Sequence, residues 1–271
     1  MSIDLPAWSE PFAEANRERL RRGGPWGRVE RDWAFGEATG RGVRVAIVDS
    51  GVERDHPAVG GQLVDSVAVE RVGDDWEVVP AQPMDVVGHG TACAGIIHAL
   101  APEAEIVSVR VLGPDNRGNG GAFATGLWWA ITESGASVAN LSLSSRSDAY
   151  FGPLHELADE AYFRNVLLVS AANNVSVASY PSLFAAVVSV AAHDLAAPDA
   201  WFYNPQPPVE FGAYGLNVDV AWRGGTRMIV TGNSFAAPHI AAYAARIRAA
   251  HPGITPFETK AILAGTADNA G

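Results

Sequence analysis

One cysteine, Cys93, stands among 271 residues, so no disulfide can close within the chain and a reducing compartment is compatible with it. Positive charge is also in short supply. Nineteen Lys and Arg face 30 Asp and Glu, a net charge of -11, which argues against a phosphate-binding surface and hence against nucleic acid as a partner. Long apolar runs are missing. The opening MSIDLPAWSEPFAEANRERLRRGG has no apolar core of signal-peptide length, and no later stretch is long enough to cross a bilayer. The expected setting is therefore cytoplasmic, with no membrane partner. No HExxH occurs and the histidines show no ligand spacing, while the glycine-rich RGNGG is neither G-x-G-x-x-G nor a Walker loop. No metal and no cofactor are expected.

What is present suits a deep core: 48% of residues are hydrophobic and 18% charged, enough for one large domain. Ser9 to Arg22 has Phe12, Ala15 and Leu20 at roughly helical spacing and reads as a short surface helix ended by Gly23-Gly24. Its arginines, Arg17, Arg19, Arg21 and Arg22, read as a solvated face. A connector from Trp26 to Gly40 is expected to be anchored by Trp33 and Phe35. Strands are then expected at Val43 to Gly51, Leu63 to Val79, Glu105 to Leu112, ASVANLSLS, VLLVSAANN, AAVVSVAAHD and VDVAWRG. Helices are expected after His89, from Ala122 to about Ser134, in HELADEAYFRN, in SFAAPHIAAYAARIRAA and from Thr255-Pro256, where Thr is a good N-cap and Pro a good first residue. Strands alternating with helices imply an α/β fold whose largely parallel sheet is covered on both faces. Residues 1–30 read as an N-terminal extension and 31–271 as the domain itself.

The chain is organised around TGNSFAAPHIAAYAARIRAA, a tight turn that opens into an alanine-rich helix with Ser234 at its mouth. Free N–H groups and the positive end of the helix dipole can stabilise an anion forming there. In a parallel sheet, ligands gather at the carboxyl ends of the strands. Asp49 falls at such an end, His89 at a helix start, and Asn173 or Asn174 just past another strand. An Asp beside an imidazole fixes its tautomer, the imidazole can take a proton from a serine, and an Asn amide can bind an oxyanion. Singly, each residue also has a plain structural use as a cap or turn former. Their flanking residues make the three segments more than coincidence.

Those flanks, VAIVDSGVERDHP, GHGTACAGI and GNSFAAPHIA, resemble the aspartate, histidine and serine segments of the subtilisin-like serine proteases, in that family's order. The resemblance runs from about Trp33 to the last helix. It implies a three-layer α/β sandwich and peptide-bond hydrolysis by a Ser234 nucleophile, a His89 base and an orienting Asp49. VLLVSAANN is similar to the family strand ending Ala-Ala-Gly-Asn. That match makes Asn174 the oxyanion donor, with Asn173 the alternative and in the place of a glycine, whose left-handed conformation Asn tolerates. Substrate is implied to lie as an extended strand between the glycine-rich stretch holding Gly118 and Gly120 and the segment Leu141, Ser142, Leu143 and Ser144. Neither segment is acidic, so a neutral or apolar P1 residue is expected.

Departures from the family pattern accompany the match. Asn233 stands where Thr is usual, Phe235 where Met is common, and Ala221-Trp222-Arg223 where Ala-Pro-Gly is frequent. A family calcium loop between the His89 helix and the next strand is lacking, Ala58 replaces a carboxylate that helps ligate that ion, and DDWE at 74–77 reads as a solvated turn. Few residues precede VAIVDSG, too few for a folding propeptide. The implied protein processes a specific intracellular peptide or protein, with room for an activating partner; the alternative is a peptide-binding module that has lost turnover. Cys93, four residues after His89 on one helix face, reads as a small core residue.

Overall fold

Period-two alternation in RVAIVD makes Arg44–Asp49 (β1) a central strand: Val45 and Ile47 point into one layer, Ala46 and Val48 into the other, and all four are buried. The computed structural model describes residues 5–20 and 29–270. After a single helical turn, Arg31–Ala34 (α1), and β1, the chain forms a hairpin of Leu63–Val72 (β2) and Asp75–Pro80 (β3). There follow His89–Leu100 (α2), Glu105–Arg110 (β4), Gly120–Thr132 (α3), Val138–Leu141 (β5), Phe151–Phe163 (α4), Leu167–Ala171 (β6) and Val188–His193 (β7). Trp201–Tyr203 (β8), Phe211–Tyr214 (β9), a second hairpin of Val218–Trp222 (β10) and Thr226–Val230 (β11), and helices Asn233–Ala250 (α5) and Pro256–Gly265 (α6) complete it.

Nine strands form the main sheet in the order β3-β2-β4-β1-β5-β6-β7-β9-β8. The seven inner strands pair in parallel, and only the edges, β3 and β8, are antiparallel. Helices α2, α5 and α6 cover one face with Ile97, Ile240, Ile247 and Leu263, and α3 and α4 cover the other with Leu127, Leu154 and Ala158. The result is a three-layer sandwich. Helix α5 is buried on nearly every side, lying on β5, β6, β7 and β9 and against α2. Its many alanines let backbones approach closely where larger side chains would not fit. Thr255 and Glu258 form a reciprocal capping box that starts α6.

Several expectations need correction. In place of a helix from Ser9 to Arg22 there are two short 3-10 turns, Glu10–Phe12 and Arg17–Arg19, because the chain turns extended at Ala13. Arg21, Arg22, Gly23, Gly24 and Trp26 lie outside the described residues. Trp33 is 58% exposed and lies against the His251 ring at a tilt, leaving Phe35 as the buried anchor. VDVAWRG is a strand of the separate hairpin, and β8, β9 and β11 had no clear alternation to announce them. Helix α5 begins at Asn233, and its Pro238 lies inside it, past the first turn where proline is ordinarily placed.

Candidate active site

Asp49 ends β1 fully buried, and His89 is the first residue of α2. Both carboxylate oxygens of Asp49 lie within hydrogen-bond distance of His89 Nδ1, at 2.9 and 2.8 Å. The carboxylate also accepts from the Ser50 N–H at 2.7 Å. Burial pushes the imidazole towards neutrality, but the charge and hydrogen bond of Asp49, with the charge of Asp85 behind it, outweigh burial and hold His89 above its ordinary pKa.

Asp85 was not singled out in the sequence, yet it builds the start of α2. Its buried carboxylate accepts from Ser50 Oγ (2.7 Å), the N–H groups of Val87 (2.9 Å), Gly88 (2.7 Å) and Thr91 (2.8 Å), and Thr91 Oγ1 (2.7 Å). The cap residue is Gly88, which offers no side chain of its own, so Asp85 takes the orphan donors from outside. Gly88 has φ +117, and a Cβ there would overlap the Trp222 ring. This gives a use to part of the departure at Ala221-Trp222-Arg223: Trp222 packs on the turn before His89, and Arg223 Nη1 donates to the Val86 carbonyl at 2.9 Å. The signal was present in the sequence as an Asp four residues ahead of the histidine.

Ser234 is the second residue of α5 and half-buried. Pro238 has no N–H for the Ser234 carbonyl, which in a regular helix would accept from residue 238. That carbonyl accepts from Ser142 Oγ at 2.7 Å, with Cys93 Sγ 3.8 Å away. Beside it, Asn174 Oδ1 accepts the Asn233 N–H at 2.9 Å. Among the described residues neither Asn174 Nδ2 nor the Ser234 N–H makes a hydrogen bond, so both donors are free at one corner. No hydrogen bond joins Ser234 Oγ to the His89 ring here; they share a cleft, and His89 packs on Phe235 with ring centroids 5.1 Å apart.

The cleft, of about 520 Å³, is lined by His89, Ser234, Asn173 and Asn174 and by two walls. One wall holds Gly118 and Gly120, the other Ser142, Leu143 and Ser144, all on the lining. Gly120 lies against the Tyr150 ring so closely that a Cβ would overlap it. Leu141 is a correction: it belongs to β5, its side chain is fully buried among the α3/α4 layer, and it is not on the cleft lining. Asn173 also lines the cleft; its backbone does not adopt positive φ, and its Oδ1 accepts from the Val175 N–H at 2.9 Å. Arg146, also unremarked in the sequence, is the one Lys, Arg, Asp or Glu side chain on this lining.

Among the described residues one group of three metal-ligating atoms lies together, those of Asp49, His89 and Cys93, within 4.8 Å of one another. The imidazole and carboxylate already bond each other, and burial with the Asp49 charge pushes the Cys93 thiol well up. The imidazole–carboxylate pair is arranged for proton handling.

The family model described as "Subtilase family" matches residues 40–271. Subtilisin BL of Lederbergia lenta is 35% identical over 263 residues, which is 91% of this chain and 92% of that protein. An alkaline protease of Alkalihalobacillus alcalophilus is 33% identical over 282 residues, 98% of this chain and 70% of that protein. The crystal structure of a cold adapted subtilisin-like serine proteinase superposes with a TM-score of 0.68 at 24% sequence identity, covering 96% of this chain and 94% of that one.

Proposed function

The chain belongs to the subtilase family and is a serine endopeptidase, and on that premise we propose that it cuts peptide bonds through Ser234, His89 and Asp49 by way of an acyl-enzyme. The observation that carries this reading is the His89 ring, tied through Nδ1 to both oxygens of Asp49 at the edge of the cleft that Ser234 enters. With its Nδ1 proton donated to Asp49, the neutral imidazole has its lone pair on Nε2. That nitrogen takes the Ser234 proton as Oγ attacks the scissile carbonyl, and Asp49 stabilises the imidazolium that results. The imidazolium returns the proton to the leaving amine. Water then attacks the acyl carbonyl as His89 takes its proton, and the imidazolium passes that proton to Ser234 Oγ as the acid leaves.

The oxyanion is bound by the Ser234 N–H and by Asn174 Nδ2, two donors that have no other partner among the described residues. Asn174 is preferred to Asn173 because its Oδ1 is held by the Asn233 N–H, next to Ser234, whereas the Asn173 Oδ1 accepts from the Val175 N–H of its own loop. Substrate lies extended between Gly118 and Gly120 on one side and Ser142, Leu143 and Ser144 on the other. Leu143 and Ser144 support this, since their backbone groups are unpaired among the described residues while those of Ser145 are engaged with Tyr180. A neutral or apolar P1 residue, and a specific intracellular peptide or protein as substrate, complete the reading. The single cysteine is compatible with that compartment, and no helix among the described residues is long and apolar enough to cross a membrane.

A fluorophosphonate probe tests the proposal. Covalent labelling at Ser234, lost in Ser234→Ala and in protein denatured beforehand, is the expected result. Asn174→Ala should lower kcat by about 10²–10³-fold, the order found when such a donor is deleted from a subtilisin. Peptide binding without labelling or turnover would instead make the chain a binding module.

A further inference from the structure

We propose that the N-terminal segment from Leu5 to Ser9 is a working part of the oxyanion corner, joined to it by Asn233 as a positioning residue. The inference rests on Asn174 being the oxyanion donor and adds what aims it. Asn233 is fully buried, and its carboxamide is saturated. Its Oδ1 accepts from the Ala192 N–H at 2.9 Å and from Ser9 Oγ at 3.3 Å. Its Nδ2 donates to the carbonyls of Ala7 (3.0 Å), Ala172 (3.2 Å) and Asn173 (3.3 Å). One amide thus ties the start of the nucleophile's helix to the ends of β6 and β7 and to the N-terminal segment. Asparagine supplies donor and acceptor together; a threonine hydroxyl at this position would have neither the reach nor the number of bonds.

Asn174 is held from two sides. The Asn233 N–H can donate only to an oxygen, so its 2.9 Å bond to Asn174 Oδ1 fixes which end of the carboxamide faces the cleft. Flipped, the same side chain would present an oxygen to the developing oxyanion and repel it. The Asn174 backbone is fixed by the Ala7 N–H, which donates to its carbonyl at 2.9 Å. The segment is itself anchored further along. Phe12 is fully buried in a cluster with Ala172, Ala191 and Phe202. Beyond it, Asp194, the residue after β7, accepts from the Glu14 N–H at 3.0 Å and pairs with Arg17 at 2.6 Å. Chain residues far from the cleft in sequence therefore set the geometry of a donor that must sit correctly only in the transition state.

The test uses the full chain with Asn233→Ala, Ser9→Ala and Asn174→Ala, singly and combined, measured as kcat and KM on a peptide substrate alongside fluorophosphonate labelling rate. Misplacement of a donor costs kcat while leaving the cleft walls intact. Asn233→Ala should lower kcat about tenfold or more, and Ser9→Ala about threefold, with KM within about twofold of wild type in both. In an Asn174→Ala background the same two substitutions should change kcat by less than about twofold, because what they position is gone. A merely structural role would give losses that multiply with Asn174→Ala, or a rise in KM, and either result overturns the proposal, as does unchanged kcat. Should Asn233→Ala fail to fold, Ser9→Ala carries the comparison, since it removes one hydroxyl and leaves the Asn233 amide in place. Wild-type protein that labels at Ser234 while the variants keep full kcat sinks the positioning role alone; wild-type protein that neither labels nor turns over sinks the hydrolytic reading with it.

Discussion

His89 is subject to opposed influences: burial favours the neutral ring, while Asp49 in contact and Asp85 nearby favour the charged one, and the carboxylates prevail. A base must be neutral to accept the serine proton, so the acidic limb of kcat/KM should lie above the ordinary histidine value of about 6.5. Asp85→Asn removes one of the two negative charges, and the limb should move to lower pH in a kcat/KM profile. A limb that stays in place would mean that Asp85 only builds the helix start. Cys93 shows the same physics with the opposite consequence. It is fully buried, 3.4 Å from Ser142 Oγ and 3.9 Å from Asp49 Oδ2, and its thiol is pushed well up by burial and by the Asp49 charge. Reactivity requires the thiolate, so iodoacetamide at neutral pH should leave both thiol titre and activity intact over hours. Rapid inactivation protected by Cys93→Ala would contradict this.

Helix α5 serves as nucleophile mount and core column at once, and Pro238 separates the two tasks by releasing the Ser234 carbonyl to Ser142. The next residue, His239, lies buried, Nδ1 donating to the Phe235 carbonyl at 2.9 Å. Burial lowers its pKa to about 4, against about 6.5 in an unfolded chain. A depressed histidine binds its proton in the unfolded state first, so its contribution is fully present above about pH 6.5 and is lost as pH falls towards 4. The difference is worth about 3 kcal/mol as an order of magnitude. His239→Gln keeps a donor for Phe235 but does not titrate. Urea unfolding of the two proteins at pH 7 and pH 4.5 should show a smaller acid loss in the variant; equal losses would show that other groups govern the acid limb.

Across the whole molecule the balance is acidic, -11, yet the only Lys, Arg, Asp or Glu side chain on the cleft lining is Arg146, exposed and without a hydrogen bond or ion pair among the described residues. A peptide carrying a carboxylate in the cleft gains from that contrast. Such a peptide should be cut with kcat/KM about two- to fivefold above a neutral analogue at low salt, the value of one exposed ion pair. The advantage should fade as salt is added and reverse in Arg146→Glu. A ratio near one, insensitive to salt, would show that the guanidinium points away from bound substrate. The largely parallel sheet makes the cleft possible: strands β1, β5 and β6 end at the same rim, so Asp49, Ser142 and Asn174 meet although separated widely in the chain.

The sequence by itself determined the α/β alternation, the central strands and the three motif segments, because these are local: period-two apolar runs, a turn with glycine before a helix, a Thr-Pro-Phe-Glu cap. It also carried the roles proposed for Asp49, His89, Ser234 and Asn174, through the residues around them. Partners made by packing were out of its reach. Nothing local says that Trp222 braces the turn before His89, that Leu141 is buried in the core off the cleft lining, or that Ala7 and Ser9 bond an asparagine more than 200 residues away. Those follow from how strands are ordered and how buried polar groups find partners, and only the tertiary structure decides that.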